Sequence, residues 1–352
     1  MLAIAEALRE TDPEVRLQFI GGRRGLENKL VPEAGIPFHA LPVASLRDPD
    51  SRFALIGTVL RLPFAYVDAL ARIAAFRPRV CVTSGGAIAF PVILAARTLR
   101  VPVYLWAGDA LPGRASRTLG RFCTKIGLAF EQARVHFPAG RATVTGTPIR
   151  SSLLRWTRES AREKMGVPSE APLVVVTGGS QGSERVNDTV FAALPRLLKS
   201  AYVLHVTGDA HIAKAKAREQ SLTEEQRQRY LPHPYLRDEM GAVLAAADLV
   251  IGRAGASSIA EPLAFGTPLV LIPFGAAMEG HQEANARAVA EAGAAVIVRE
   301  SELDPDRLTA QVTGLLNDAT RFGRMTQAAK NAGRRDASKV MAAEILALGG
   351  CA

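Results

Sequence analysis

The stretch VVVTGGSQGSERVN, residues 174–187, decides the fold. An apolar, β-branched run ends in a turn with three glycines, and a helical pattern follows. This order of strand, glycine-rich turn and helix is typical of a doubly wound α/β domain. Because glycine lets backbone N–H groups approach a ligand and a helix N-terminus carries partial positive charge, such a turn can cradle a diphosphate. A tight turn that binds nothing also requires glycine, so the stretch alone leaves both interpretations open.

The same alternation of strand and helix patterns runs along the whole chain. β-rich runs occupy residues 15–20, 80–83, 103–106, 173–176, 202–206, 249–251, 269–272 and 295–298. Helical patterns occupy residues 87–99, 185–198, 257–265 and 282–292. The alternation predicts an α/β protein with parallel sheets. At 352 residues we expect two doubly wound, Rossmann-like domains, residues 1–150 and 151–352, with the last helix able to fold back onto the first domain.

The composition argues against membrane-spanning, disordered and secreted classes. Hydrophobic residues make up 48% and charged residues 22% of the chain, which is typical of a globular protein. No run approaches the roughly 20 apolar residues that a membrane helix needs. Met1 leads directly into a helical pattern without the features of a secretory signal. The three cysteines, Cys81, Cys123 and Cys351, lack metal-ligand spacing and suit a reducing cytoplasm.

The net charge of +9 lies entirely in the first half of the chain. Residues 1–150 carry 20 basic and 11 acidic side chains, and the remaining residues carry 23 of each. A basic half can serve an anionic membrane surface, a phosphorylated substrate, nucleic acid or solubility alone. Scattered basic residues, 6% aromatic residues and the lack of a nucleic-acid-binding motif make nucleic acid the weakest of these.

A second strand-to-helix junction reads GRAGASSIAE, residues 252–261. Small residues lead from an apolar run into a helix, which again suits a diphosphate. Glu261 lies about one turn into that helix, where a carboxylate can accept hydrogen bonds from a ribose diol. A glutamate near a helix N-terminus is also stabilising through the helix dipole alone, so both interpretations stay open.

A third junction places a polar cluster, HQEAN at residues 281–285, at the start of a helix. Gln282 and Asn285 share a helical face, because residues three apart are neighbours on a helix. Paired amides can bind the hydroxyls of one sugar. The alternative is a capping cluster, which could include His281.

Three motifs occur in the order and approximate spacing of the MurG family of glycosyltransferases. They are TGGSQGS at residues 177–183, RAGASSIAE at residues 253–261 and HQEANARA at residues 281–288. Shorter similarities cover nearly the whole chain, at residues 19–21, 24–27, 84–86, 112–113 and 146–150. The chain therefore resembles this family, which implies a GT-B fold with two Rossmann-like domains facing a central cleft.

By this resemblance, UDP-N-acetylglucosamine (UDP-GlcNAc) binds the second domain. Ser180 and Gln181 would meet the diphosphate and sugar, Glu261 would take the ribose, and Gln282 and Asn285 would contact the GlcNAc hydroxyls. The substrate-binding residues that the resemblance implies are Arg150, Gly179, Ser180, Gln181, Tyr235, Leu236, Arg253, Gly255, Ala256, Ser257, Glu261, His281, Gln282 and Asn285.

The segment with Tyr235 and Leu236 resembles the uracil pocket of the family. An aromatic and an aliphatic residue would there present backbone groups to the edge of the base. Packing of Tyr235 in the core is the alternative interpretation.

The chain departs from the family pattern at two places. MurG proteins begin with a strand and a GGTGGH loop, whereas this sequence starts inside the following helix. Either the true start lies upstream, which we favour, or part of the acceptor site has been lost. The family motif HEQN reads WAGD at residues 106–109, which makes Asp109 a candidate general base or a ligand orienting a diphosphate-bound metal. It could also be an ordinary turn residue.

The resemblance implies an inverting transfer of GlcNAc to lipid I, the lipid-linked muramyl-pentapeptide, at the cytoplasmic face of the bacterial membrane. No cofactor is required by this mechanism, although a divalent metal is compatible with it. The basic first half and the apolar residues between 53 and 64 suit a peripheral membrane enzyme, with core packing as the alternative for those apolar residues. Two other functions stay open, namely nucleotide-sugar binding without turnover and a UDP-GlcNAc 2-epimerase-like reaction.

Overall fold

The chain divides into two compact units. The computed structural model describes residues 1–22, 26–41, 52–86, 88–179, 182–236, 239–275 and 280–350, with the backbone alone for residues 52–60. The first unit consists of Met1–Arg150 and Asp336–Ala352, and the second of Ser151–Arg335. The second unit therefore ends at Arg335, before the last helix of the chain.

Helices and strands alternate in both units. In chain order they are α1 Leu2–Thr11, β1 Phe19–Gly22, α2 Glu27–Glu33, β2 Phe38–Leu41, α3 Arg52–Phe76, β3 Cys81–Thr83, α4 Ala89–Thr98, β4 Val103–Ala107, α5 Arg114–Gly120, β5 Lys125–Leu128, β6 Ala142–Val144, α6 Ser151–Leu154, α7 Arg158–Met165, β7 Leu173–Thr177, α8 Glu184–Leu197, β8 Tyr202–Val206, α9 Ile212–Gln220, α10 Glu224–Arg227, β9 Tyr230–His233, α11 Met240–Ala246, β10 Leu249–Gly252, α12 Ala256–Ala264, β11 Leu269–Leu271, α13 His281–Glu291, β12 Ala295–Ile297, α14 Pro305–Asn317, α15 Ala319–Ala332 and α16 Ala337–Leu348. Short 3₁₀ helices cover Glu131–His136, Asp209–His211 and Glu300–Glu302.

All the described strand pairs are parallel. The second unit holds one six-stranded sheet in the order β12-β11-β10-β7-β8-β9. The first unit holds a two-stranded sheet, β1-β2, and a four-stranded sheet, β3-β4-β5-β6. The predicted α/β class with two doubly wound domains is confirmed.

Strand β7 is the centre of the second unit. Val174 pairs with Leu249 on one side and with Val203 on the other, and every residue of the strand is buried. The continuous apolar run of this strand is what a parallel strand covered by helices on both faces requires. Helix α8 presents Val186, Val190 and Leu194 to the same core.

Every predicted strand is present, but the first one is displaced. The run at residues 15–20 predicted a strand that in fact begins at Phe19. Four strands, β2, β5, β6 and β9, were not predicted, because each has only three or four residues and a mixed pattern.

Helix α16 completes the first unit by packing against α1 and the four-stranded sheet. Its Glu344 accepts hydrogen bonds from the Tyr104 hydroxyl at 2.7 Å and from Thr143 Oγ1 at 2.9 Å. Lys125 Nζ lies 2.9 Å from the same carboxylate. These bonds connect α16 to strands β4, β5 and β6. The last helix therefore packs on the first domain, which was one of the arrangements expected from the sequence.

No helix among the described residues is long and apolar enough to span a bilayer. Helix α3 carries the apolar residues of the 53–64 stretch. Its Phe64 side chain is 72% exposed, so core packing is wrong for this residue. The side chains of Phe53, Ile56, Val59 and Leu60 lie outside the described residues.

A polar network runs through the core of the second unit beneath the turn that follows β7. His205, on β8, is fully buried, with Nδ1 3.2 Å from the Tyr230 hydroxyl and Nε2 3.0 Å from Asn187 Oδ1. Asn187 Nδ2 in turn donates to the Thr207 carbonyl at 2.9 Å. Burial lowers the pKa of His205 to about 3, so the folded protein holds a neutral imidazole.

This network makes the stability of the second unit pH-dependent. Between the ordinary histidine pKa of 6.5 and about 3, the unfolded chain binds a proton at His205 that the folded chain does not. The contribution of neutral His205 to the free energy of unfolding is therefore complete above pH 6.5 and is lost as the pH falls from 6.5 towards 3. We expect the free energy of unfolding to fall by up to about 1.4 kcal/mol per pH unit more steeply in the wild type than in His205→Gln.

Urea unfolding between pH 4 and 7.5 measures this difference. The matched control is His136→Gln, a change at a partly exposed histidine in the other unit, which should leave the slope of the wild type unaltered. Equal slopes in wild type and His205→Gln would contradict the assignment of a neutral buried imidazole.

Candidate functional site

The candidate site lies at the carboxyl edge of the six-stranded sheet. Because β10 lies between β7 and β11, the turns that follow these three strands are neighbours. Each turn leads to a helix: α8 after β7, α12 after β10 and α13 after β11. Ligands of doubly wound folds bind at this edge, where helix N-termini converge.

The turn after β7 is glycine-rich because the fold itself demands it. A Cβ on Gly178 would lie 2.3 Å from Ser183 N, and a Cβ on Gly182 would lie 2.2 Å from the Thr207 carbonyl oxygen. Gly179 has φ +87° and faces open space. Ser180 and Gln181 lie outside the described residues, so their predicted contacts with diphosphate and sugar stay predictions.

The start of α12 differs, because no contact with a described residue demands glycine there. Gly255 has φ −74° and ψ 152°, which any residue adopts. A Cβ would meet only Ser258 Oγ, at 3.7 Å. The first turn, with Ala256 and Ser257, has no side-chain cap among the described residues. A helix N-terminus with open backbone donors and small residues leaves room for an anion to approach.

Arg253 ties the turns of this edge together. The residue is 8% exposed, and its guanidinium donates to Ser183 Oγ at 2.7 Å, to Glu300 Oε1 at 2.5 Å and to the Ile272 carbonyl at 3.3 Å. It also lies 5.2 Å from the centre of the Phe274 ring. Arg253 directly follows β10, and its side chain is held by protein groups from three other turns. The substrate contact that the resemblance implies for Arg253 stays a prediction.

Glu300 neutralises Arg253 from the end of β12. Its second oxygen accepts a hydrogen bond from Gly275 N at 3.1 Å. Burial acts to raise the pKa of Glu300, but the bonds from Arg253 and Gly275 outweigh it, and the pKa lies below the ordinary value for a glutamate. The ionised pair joins the turns after β10, β11 and β12.

The amides of α13 hold the turn after β10. Gln282 Oε1 accepts from Ala254 N at 3.3 Å and from Phe274 N at 2.9 Å. Asn285 is fully buried and donates to the Ala254 carbonyl at 3.1 Å. These bonds position the turn after β10, and the predicted contacts of Gln282 and Asn285 with sugar hydroxyls stay predictions.

The remaining predicted residues of the second unit surround this edge. Glu261 lies on α12, partly buried and with a partner of its own. Tyr235 is 43% exposed, so its packing in the core is wrong, and its N–H donates to Asp209 Oδ1 at 3.2 Å. Leu236 is buried beside it. His281, the first residue of α13, has a buried Nδ1 without a hydrogen-bond partner among the described residues.

Two predicted residues belong to the first unit. Asp109 follows β4, and Arg150 ends the first segment of the unit. Each is partly buried and has an interaction partner. In the part of the chain that the structure describes, no three His, Cys, Asp or Glu side chains cluster so as to hold a metal ion. The roles predicted for Asp109, Arg150 and a divalent metal stay predictions.

Sequence reasoning missed two residues of the site, Ser183 and Glu300. Ser183 caps α8, with Oγ accepting from Val186 N at 3.5 Å, and also binds Arg253. A serine before a helical run is a recognisable capping signal. Glu300 follows the last strand at the same edge as the other turns, so a search for charged residues after every strand would have found it.

Comparisons with known proteins identify the family of the chain. The model of the glycosyltransferase family 28 C-terminal domain matches residues 173–341, and that of the N-terminal domain matches residues 1–128. A protein of Desulforudis audaxviator, named UDP-N-acetylglucosamine–N-acetylmuramyl-(pentapeptide) pyrophosphoryl-undecaprenol N-acetylglucosamine transferase, is 37% identical over 95% of this chain and 90% of its own length.

Solved structures agree on the fold. MurG of Acinetobacter baumannii matches with a TM-score of 0.76 and 24% identity, over 98% of this chain and 94% of that one. UDP-GlcNAc 2-epimerase of Neisseria meningitidis, bound to UDP-GlcNAc, matches with a TM-score of 0.67 and 13% identity. The match covers 99% of this chain and 95% of that one. At these identities the likeness establishes the GT-B fold alone, and it is the sequence relatives that separate the two activities. The chain belongs to glycosyltransferase family 28 and, within it, to the MurG family of N-acetylglucosamine transferases.

Proposed function

We propose that the chain transfers N-acetylglucosamine from UDP-N-acetylglucosamine to a lipid-linked muramyl-pentapeptide acceptor in the synthesis of peptidoglycan. The observation that carries this proposal is the uncapped start of α12 beside the turn after β7. Gly255 leaves space there that the packing of the protein does not require. The diphosphate of the donor would lie over this helix start. The backbone N–H groups and the helix dipole would stabilise the diphosphate there without a lysine.

The residues around that helix would bind the rest of the donor. Glu261 would accept hydrogen bonds from the ribose diol. The exposed ring of Tyr235 and the backbone next to it would border the uracil. Gln282 Nε2 would donate to a GlcNAc hydroxyl, while its oxygen stays bound to Ala254 N and Phe274 N.

The reaction we infer is a single inverting displacement. The acceptor hydroxyl attacks the anomeric carbon, the bond from that carbon to the diphosphate oxygen breaks, and UDP leaves with the electron pair. The helix N-termini stabilise the negative charge that develops on the leaving diphosphate. The hydroxyl proton passes to a base, for which we propose Asp109 at the end of β4.

A surface of the first unit suits an anionic membrane. Helices α3 and α4 lie side by side, and the Tyr66 hydroxyl lies 3.0 Å from Thr98 Oγ1. On these helices Phe64, Val67, Phe90 and Leu94 are 72%, 62%, 44% and 46% exposed. Arg61, Arg97 and Arg100 on and after the same helices are also exposed. Apolar side chains flanked by arginines match the boundary between acyl chains and anionic headgroups, at the cytoplasmic face of the membrane.

The transfer itself is tested with radiolabelled UDP-GlcNAc and a lipid I analogue. We expect labelled GlcNAc on the lipid together with an equal amount of UDP. Conversion of UDP-GlcNAc to an epimer without acceptor would favour the epimerase reaction, and binding without either product would favour a binding protein. In Asp109→Asn we expect kcat to fall at least about 100-fold with donor affinity unaltered, and an unaltered kcat would exclude Asp109 as the base.

The ribose contact is tested by comparing UDP with 2′-deoxy-UDP in calorimetric titrations. The wild type should bind UDP more tightly, and Glu261→Ala should lose about 1.5–3 kcal/mol of UDP affinity together with that preference. Glu291→Ala, which removes an exposed carboxylate from α13, serves as the control and should bind as the wild type does. If both nucleotides lost the same affinity in Glu261→Ala, the ribose role would be wrong.

The membrane surface is tested by cosedimentation with phosphatidylglycerol vesicles. We expect the double variant Phe64→Ser, Val67→Ser to bind at least about tenfold more weakly, because two apolar side chains no longer enter the interface. Raising the salt concentration should weaken wild-type binding. Val135→Ser, at an 84% exposed valine of the same unit, should bind like the wild type, and equal losses in both variants would contradict the assignment.

A further inference from the structure

Glu300 interacts with two positive side chains beside the candidate donor site. Its Oε1 accepts a hydrogen bond from Arg253 Nη2 at 2.5 Å, and its Oε2 accepts one from Gly275 N at 3.1 Å. Arg185, in the first turn of α8, acts on the same carboxylate through its charge, while its Nη2 donates to the Leu303 carbonyl at 2.9 Å. The carboxylate therefore offsets part of the positive charge of two guanidiniums.

The pair of Arg253 and Glu300 lies close to the starts of α8 and α12. Arg253 Nη2 also donates to Ser183 Oγ at 2.7 Å, and Ser183 caps α8. Gly255, the residue before α12, follows Arg253 by two positions, a separation that spans at most about 7 Å. A change of charge at this pair would therefore alter the affinity for an anion bound at either helix start.

Solvent screens this pair only weakly. The side chains of Arg253 and Glu300 are 10% and 23% exposed, and the ring of Phe274 lies 5.2 Å from the guanidinium. Burial acts to raise the pKa of Glu300, but the bonds from Arg253 and Gly275 hold this pKa below its ordinary value, so the carboxylate is ionised at neutral pH. Partly buried charges act on a neighbouring ligand more strongly than charges in water do.

The donor and the product of the proposed reaction differ in charge. The diphosphate of UDP-GlcNAc is esterified at both ends, so each of its phosphates carries one negative charge. The outer phosphate of UDP has a free end, whose second proton dissociates with a pKa of about 6, as in other phosphate monoesters. Above pH 7, UDP therefore carries about one negative charge more than UDP-GlcNAc. Added positive charge at the site would favour the product over the donor.

We propose that Glu300 determines the preference of the donor site between UDP-GlcNAc and UDP, because it offsets the charge of Arg253. This inference rests on the proposed function, since it takes the diphosphate to lie at the start of α12. Backbone N–H groups bind the two charges that donor and product share, and the neutralised Arg253 offers little net attraction to the additional charge of UDP. Weaker retention of UDP favours its release, a step that limits the turnover of many enzymes.

Calorimetric titrations of the full chain with UDP and with UDP-GlcNAc, at about pH 8, test this role. The variant Glu300→Gln keeps the size of the side chain and removes its charge. We expect it to bind both ligands more tightly than the wild type, and UDP to gain at least about threefold more affinity than UDP-GlcNAc. An unaltered preference in a variant that binds both ligands would overturn this inference and leave the proposed function standing. A wild type that binds neither ligand would overturn both.

Two control variants separate the charge of Glu300 from its place in the packing. Glu300→Asp keeps the charge and shortens the side chain, so it should keep the wild-type preference; a shift as large as that of Glu300→Gln would overturn the proposal. Glu302→Gln removes a carboxylate from the same 3₁₀ helix, but one that pairs with Arg307 at 2.7 Å and with Arg299 at 3.5 Å. Its preference should stay close to that of the wild type, and an equal shift there would contradict a specific role of Glu300.

A change of the opposite sign keeps the test decisive if Glu300→Gln does not fold. Arg185 is exposed, so Arg185→Gln should fold, and it removes a positive charge that acts on Glu300. At a salt concentration of about 50 mM, where screening is weak, this variant should lose more affinity for UDP than for UDP-GlcNAc. Equal losses for the two ligands, or a greater preference for UDP, would overturn the proposal.

Discussion

The close packing of the turn after β7 against the neighbouring strand is the constraint on which the candidate donor site depends. Gly182 approaches the Thr207 carbonyl so closely that a Cβ would lie 2.2 Å from it. The same carbonyl accepts a hydrogen bond from Asn187, whose other amide atom meets the buried, neutral His205. The turn therefore packs on a network of paired buried polar groups. A single substitution in this network would leave one group unpaired, which would destabilise the folded protein by about 1–3 kcal/mol.

A second support acts from the side. Arg253 binds Ser183, Glu300 and the Ile272 carbonyl, and Glu300 also binds Gly275 N. Because Glu300 neutralises Arg253 within the protein, we propose that the helix starts supply most of the positive potential that a diphosphate would meet. The charged side chains would then fix the spacing of the turns, and backbone N–H groups would bind the anion.

The fold followed from the sequence because burial on both faces leaves a strong pattern. The apolar run of β7 and the glycines behind it specify strand, turn and helix with few alternatives. Short strands such as β6, with three residues, carry too little pattern to be predicted.

The roles of the site residues were harder to predict than their location. Residue type placed Gln282, Asn285 and Arg253 at the right edge, but an amide or a guanidinium can bind the backbone as well as a ligand. The structure commits Asn285 and the Gln282 oxygen to the turn after β10. By contrast, Gly255 gave only a weak signal in the sequence. Among the described residues no contact requires glycine there, and this is the observation that favours a ligand.

The most direct measurement of the central claim is the affinity of UDP for Gly255→Ala, by calorimetry on the full chain. An added Cβ should meet only Ser258 Oγ at 3.7 Å, so the free energy of unfolding should change by less than about 1 kcal/mol. If the diphosphate lies over the start of α12, the same methyl group should weaken UDP binding at least about tenfold. Gly323→Ala, on α15 with nothing within 4 Å, should leave UDP binding unaltered. Wild-type affinity in a folded Gly255→Ala variant would contradict the account.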